Sequence, residues 1–121
     1  MDIGGLFKTA ENTKELQAGT IVFEEESAGN VMYVVLDGEV EIRRGDKVIE
    51  VIKPGDIFGE MALIDGQYRS ATAVVKSNCR LAIVDEKRFL FMVQTTPFFA
   101  LHVMRILVNR LRRTTLGQAA K

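Results

Sequence analysis

Glu60 and Arg69 are charges set inside otherwise apolar sequence. They stand in FGEMALIDGQYRSATAVV, residues 58–75, Glu60 directly after Phe58-Gly59 and Arg69 before a second apolar run. Gly59 allows a sharp turn or a close backbone approach. Glu60-Met61-Ala62-Leu63-Ile64 contains good helix formers for a single turn. The first N–H groups of such a turn lack intrahelical partners and favour an anion. A guanidinium completes that chemistry, because it grips phosphate through two parallel N–H···O bonds, and Ser70 adds a donor. Glu60 repels phosphate but accepts hydrogen bonds from hydroxyls. Phosphate beside hydroxyl describes a ribose phosphate. The plainer alternative is that Glu60 and Arg69 pair with each other, an ion pair of small net worth. The residues by themselves leave both open.

The elements around this segment are short. From Thr20 to Asp85 the runs TIVFEE, VMYVVL, EVEIRR, KVIEVI, DIF, SATAVV and RLAIVD are separated by SAGN, DG, RGD, PGD and DGQ. Such spacing argues for an all-β sandwich or barrel over residues 20–85. Asp37-Gly38 and Gly45-Asp46 have the composition of hairpin turns. Residues 3–11 suit one or two helical turns.

After Asp85 the texture becomes helical. Asp85 can cap EKRFLFMVQ, and Pro97 suits the first turn of a further helix. Helices are expected over residues 86–95 and 97–115. In the second, Leu101, Met104, Leu107, Val108 and Leu111 form one apolar stripe, and Phe99, Val103 and Ile106 form another. One stripe is enough to dock on a barrel; a second suggests another covered surface, either depth within the domain or a homodimer.

Composition narrows the function classes. With 121 residues, 47% hydrophobic and 26% charged, the chain fits one globular domain spanning residues 1–121. No apolar run approaches the ~20 residues of a membrane span, and the N-terminus lacks a signal-peptide pattern. A single cysteine, Cys79, forms no internal disulfide and fits the cytoplasm. A lone histidine, His102, leaves no His/Cys metal site and no cupin-type enzyme. No catalytic set of Ser/His/Asp or Cys/His type is readable, so no enzyme activity, metal or cofactor is expected. All sixteen acidic residues lie at or before Glu86, leaving a basic C-terminal stretch. It suits either the negative end of a helix dipole or an anionic partner.

F-G-E-M-A-L-I-x-x-x-x-x-R-S-A-T resembles the phosphate-binding cassette of cyclic nucleotide-binding domains, the sensors of catabolite-activator-type regulators, kinase regulatory subunits and cyclic-nucleotide-gated channels. MYVVLDGEVEI resembles that family's central hairpin, and KPGDIFGE its lead-in to the cassette. The likeness covers roughly residues 6–116. It implies a mainly β fold: a jelly-roll barrel with a short N-terminal helix and two C-terminal helices. It implies that Arg69 clamps the cyclic phosphate, lined by backbone N–H groups of Gly59, Met61 and Ala62, and that Glu60 takes the ribose 2′-hydroxyl. Ser70 and Ala71 would border phosphate and base. Ile42 and Ile49 would wall the purine, with ordinary barrel core as their other reading. Thr114 and Thr115 resemble a hydroxyl pair that reaches the adenine amino group in bacterial regulators, although capping would also explain them.

The function implied is a cyclic-nucleotide sensor, for cAMP rather than cGMP, that signals by ligand-dependent movement of its C-terminal helices to an effector or a second copy. The alternative is a domain of the same fold that has become a protein-interaction module. Regulators of the family continue into a helix-turn-helix; this sequence stops short of one, so direct DNA binding by that route is not expected.

Overall fold

The computed structural model describes residues 3–7 and 12–119, with side chains described for residues 5–7 and 12–113. The chain divides into two compact units, residues 2–87 and residues 88–121.

The first unit holds the sheet. Helix α1 (Ile3–Phe7) precedes β1 (Thr13–Leu16), β2 (Ile21–Phe23), β3 (Val31–Arg44), β4 (Lys47–Ile52), β5 (Ile57–Phe58), helix α2 (Glu60–Asp65) and β6 (Thr72–Asp85). All pairings are antiparallel. β6 takes β1 and β2 along one side and β3 along the other, while β3 also pairs β4 and β5. This is the expected mainly β jelly roll with flanking helices. Val35, Val40, Ile52, Phe58, Ala73, Val75, Cys79 and Leu81 form its core, with Phe23, Tyr33 and Ile42 packed against it. Burial near Cys79 pushes its thiol up, a hydrogen bond with the Leu16 backbone opposing, so it is a core group rather than a nucleophile.

Two of the expected breaks are absent. VMYVVL and EVEIRR are one fourteen-residue strand, β3, and SATAVV and RLAIVD join into the equally long β6. Asp37-Gly38 is therefore a bulge, not a hairpin turn: the β3–β6 register shifts at Val35/Asp37 and again at Asp37/Glu39. Gly38 has φ +79°, and a Cβ there would overlap the Asn78 carbonyl oxygen and lie 2.8 Å from Cys79 Cα. Glycine serves close strand approach here, the other use of that residue in a β pattern. Gly45-Asp46 does reverse the chain, between the paired Arg44 and Lys47. β1 was outside the expected barrel; TKEL has little apolar content to signal a strand.

The second unit is helical. Helix α3 (Glu86–Thr95) begins directly after Asp85, and α4 (Pro97–Ala119) starts on Pro97 as expected but runs past residue 115. The two are bent by 117°, with Phe89 edge-on to Phe99 at 5.4 Å between centroids. The buried stripe of α4 is Phe99 and Val103, while Leu101, Met104, Val108 and Leu111 stay exposed. Among the described residues no single helix is long and apolar enough to cross a membrane.

Leu81 has no exposed surface and sits on the strand that joins β1 to β3, whereas Ile49 is 44% exposed. Leu81→Ala is expected to cost about 2–5 kcal/mol and Ile49→Ala no more than about 0.5 kcal/mol. Urea denaturation followed by far-UV circular dichroism measures both; comparable losses would mean the core is misplaced.

Candidate functional site

β5 ends at Phe58, and Gly59 (φ +77°) turns the chain into α2 without any side-chain cap. A residue other than glycine would be strained there by roughly 1–2 kcal/mol. Because α2 opens at once, Glu60 and Ala62 face inward, 4% and 3% exposed, while Met61 and Ile64 face solvent. Gly66 closes the helix, its N–H donating to Ala62 O at 3.0 Å.

The chain then returns to Arg69, whose backbone is fixed at both ends. Arg69 N–H donates to Ser27 O at 2.9 Å, and Glu26 N–H donates to Arg69 O at 2.8 Å. Glu25 N–H donates to Thr72 Oγ1 at 2.9 Å just beyond. The Glu24–Ser27 turn is thus laced to the end of the cassette, and Glu26 adopts a left-handed φ of 69° within it.

The Arg69 side chain points inward and is only 5% exposed. Nη1 donates to Gly59 O at 2.8 Å and Nη2 to Val31 O at 2.9 Å. The guanidinium carbon lies 4.2 Å from the centroid of Phe23 and 5.9 Å from that of Tyr33. Phe23, Tyr33 and Phe58 contact one another with centroids 5.0–6.0 Å apart, a continuous aromatic floor. Nε is buried and has no hydrogen-bond partner among the described residues. Burial pushes the guanidinium below its ordinary pKa; Tyr33 and then Glu60 oppose this through their fields. Burial likewise pushes the Tyr33 phenol up, with Arg69 opposing. At neutral pH the phenol is therefore protonated.

Gly59, Glu60, Ala62, Arg69 and Ala71 come together as buried or half-buried groups at one end of the sheet; Ser70 is exposed, its Oγ 4.0 Å from Met61 Sδ. Ser70 O accepts Arg44 Nε at 3.3 Å, tying the β3–β4 hairpin to the cassette. Ile42 is half-buried opposite Ala73 and Glu50, whereas Ile49 is exposed beside a register shift. The side chains of Thr114 and Thr115 lie outside the described residues. Sequence reasoning missed Phe23, Gly29, Tyr33 and the Val31 carbonyl. Backbone acceptors leave no sequence signal, and the two aromatics read as ordinary strand residues.

A family model described as the cyclic nucleotide-binding domain matches residues 13–96. The cAMP-dependent protein kinase regulatory subunit of Schizosaccharomyces pombe is 40% identical over 81 residues, 66% of this chain and 20% of that protein. The cyclic AMP receptor protein of Thermus thermophilus is 29% identical over 103 residues, 81% of this chain and 48% of that protein. The chain thus spans between a fifth and a half of these relatives. The crystal structure of the Thermus thermophilus catabolite activator protein superposes with a TM-score of 0.79 at 27% identity, covering 87% of this chain and 52% of that one. The EAL enzyme Bd1971, in its half-site-occupied form, is 36% identical with a TM-score of 0.65, covering 85% and 96% of the two chains. It has also been solved in cAMP-bound and cGMP-bound forms.

Gly59 and Gly66 separate strain from contact. Both have positive φ, but a Cβ at Gly59 would lie 2.8 Å from Arg69 Nη1, whereas one at Gly66 meets nothing within 4 Å. Gly66→Ala is expected to cost about 1 kcal/mol. Gly59→Ala should cost that plus the displacement of the guanidinium, and so melt several degrees lower in a thermal scan. Equal melting temperatures would show that Arg69 does not press on Gly59.

Proposed function

Because the chain belongs to the cyclic nucleotide-binding domain family, we propose that it is a cyclic-nucleotide sensor that takes cAMP in preference to cGMP. The observation that carries this is Arg69. A full positive charge is held almost out of water, with two donors on carbonyls and Nε without a partner among the described residues. Such a group is costly to bury unless an anion meets it, and a cyclic phosphate supplies one in the planar geometry a guanidinium fits.

In this reading Arg69 clamps the cyclic phosphate, and backbone N–H groups of Gly59, Met61 and Ala62 line it. Glu60, buried at the start of α2, accepts the ribose 2′-hydroxyl. Ser70 and Ala71 border phosphate and base. Ile42 and Ile49 approach the purine from the β3–β4 hairpin. The reading assigns the chain no reaction; its work is binding. The cAMP preference is supported by the kinase regulatory subunit and the cyclic AMP receptor protein among its relatives.

The output proposed is a ligand-dependent inward shift of the cassette with movement of α3 and α4, which requires the nucleotide to bind one arrangement better than the other. A cytoplasmic setting goes with that role. The exposed Leu101, Met104, Val108 and Leu111 on α4 give an effector or a second copy an apolar surface to meet.

Calorimetric titration with cAMP and cGMP tests this. Arg69→Leu is expected to weaken cAMP binding by at least about 30-fold, since truncating one partner of a desolvated charge contact costs ~2–5 kcal/mol. Glu60→Ala should weaken it by roughly 10- to 100-fold, the worth of a hydrogen bond to a charged group. Both variants should remain folded. Absence of binding heat with either nucleotide would overturn the sensor reading, unchanged affinity in Arg69→Leu would overturn the phosphate role, and tighter cGMP binding would reverse the preference.

A further inference from the structure

We infer that Phe23 and Gly29 are positioning residues for Arg69: the aromatic face of one and the missing side chain of the other fix the guanidinium where an anion must meet it. The geometry stands by itself; its consequence for nucleotide affinity rests on the proposed phosphate role of Arg69.

An arginine side chain is long, and holding it in one place costs about 2 kcal/mol of rotamer freedom. Here the surroundings define a single seat. Two carbonyls, Gly59 O and Val31 O, take the terminal nitrogens at 2.8 and 2.9 Å. Phe23 lies under the guanidinium carbon at 4.2 Å, well inside the ~6 Å range of a cation–π contact. Phe23 is itself held, with Tyr33 and Phe58 each 6.0 Å away between centroids.

Gly29 forms the remaining wall by what it lacks. A Cβ there would overlap Arg69 Nε and lie 2.5 Å from both Cζ and Nη2. Gly29 does not have a positive φ, so any backbone penalty for alanine is small. The reason for glycine at this position is space for the guanidinium. The same stretch of chain also grips the Arg69 backbone through Ser27 O and Glu26 N–H. Residues 23–31 therefore hold Arg69 by backbone and side chain together.

The test uses Gly29→Ala, Phe23→Leu and the conservative Phe23→Tyr in the full chain. The first readout needs no nucleotide: the Arg69 Nε–H resonance by NMR, assigned by its loss in Arg69→Leu. The Phe23 ring current displaces that signal, and burial protects it from exchange with water. Gly29→Ala and Phe23→Leu should each move it and expose it to exchange, while Phe23→Tyr leaves it in place. The second readout is cAMP affinity, expected to fall about 30-fold in Gly29→Ala and Phe23→Leu, the scale of a desolvated cation–π contact, and to stay near wild type in Phe23→Tyr. Should Gly29→Ala fail to fold, Phe23→Leu against Phe23→Tyr decides the matter. A folded variant that lowers only the melting temperature, with resonance and affinity unchanged, would overturn the proposal by reducing Phe23 and Gly29 to packing. So would a moved resonance with unchanged affinity. If the wild-type chain binds neither nucleotide, the sensor reading fails, and the resonance alone judges the positioning.

Discussion

A guanidinium taken out of water must have its donors met and its charge answered, or the fold that buries it is penalised by several kcal/mol. Much of this chain's local architecture is arranged around that requirement at Arg69. Two carbonyls turn toward it from separate segments, one at the start of β3 and one at the entry to α2. Phe23 and Tyr33, from β2 and β3, lie beneath it and are backed by Phe58 of β5. Two glycines stand aside for it. None of these groups is near it in sequence, so the sheet brings two distant stretches, residues 23–33 and 58–59, to one side chain.

The sheet can do so because β3 and β6 are long. Fourteen residues each, they pair along almost their whole length and leave β2, β4 and β5 as short strands attached to them. Val31 and Tyr33 belong to one long strand, and the other begins at Thr72, three residues after Arg69. The bulge at Asp37–Glu39 keeps these strands paired through a change of register, and it is possible only because Gly38 lets the Asn78 backbone come close.

The sequence disclosed the types of residue that matter more readily than their company. Glu60 and Arg69 announce themselves as charges in an apolar run, and the buried side chains at those positions bear that out. The order of strands and helices was also legible, because turn residues and periodicity mark local structure. Three things were not. Asp37-Gly38 looks the same as a turn or as a bulge, and only the partner strand decides. On α4 two apolar stripes were visible, but which one is covered depends on tertiary packing; it is that of Phe99 and Val103. The seat of Arg69 is made of carbonyl oxygens, an absent Cβ and a ring face, and only the last has a letter in the sequence. The plainer alternative of a Glu60–Arg69 pair was equally open in the sequence; the structure adds two backbone oxygens to the guanidinium's partners, with the field of Glu60 acting on it as well.

The lacing of Arg69 to Ser27 and Glu26, together with the pairing of Phe58 to Tyr33, has a kinetic consequence. Both ends of the segment 59–68 are tied to the sheet, so its rearrangement is a local event between fixed posts rather than a search by a free chain. Loop motions in a folded protein run from nanoseconds to microseconds. With both ends held, any rearrangement of residues 59–68 leaves the paired strands on either side in register.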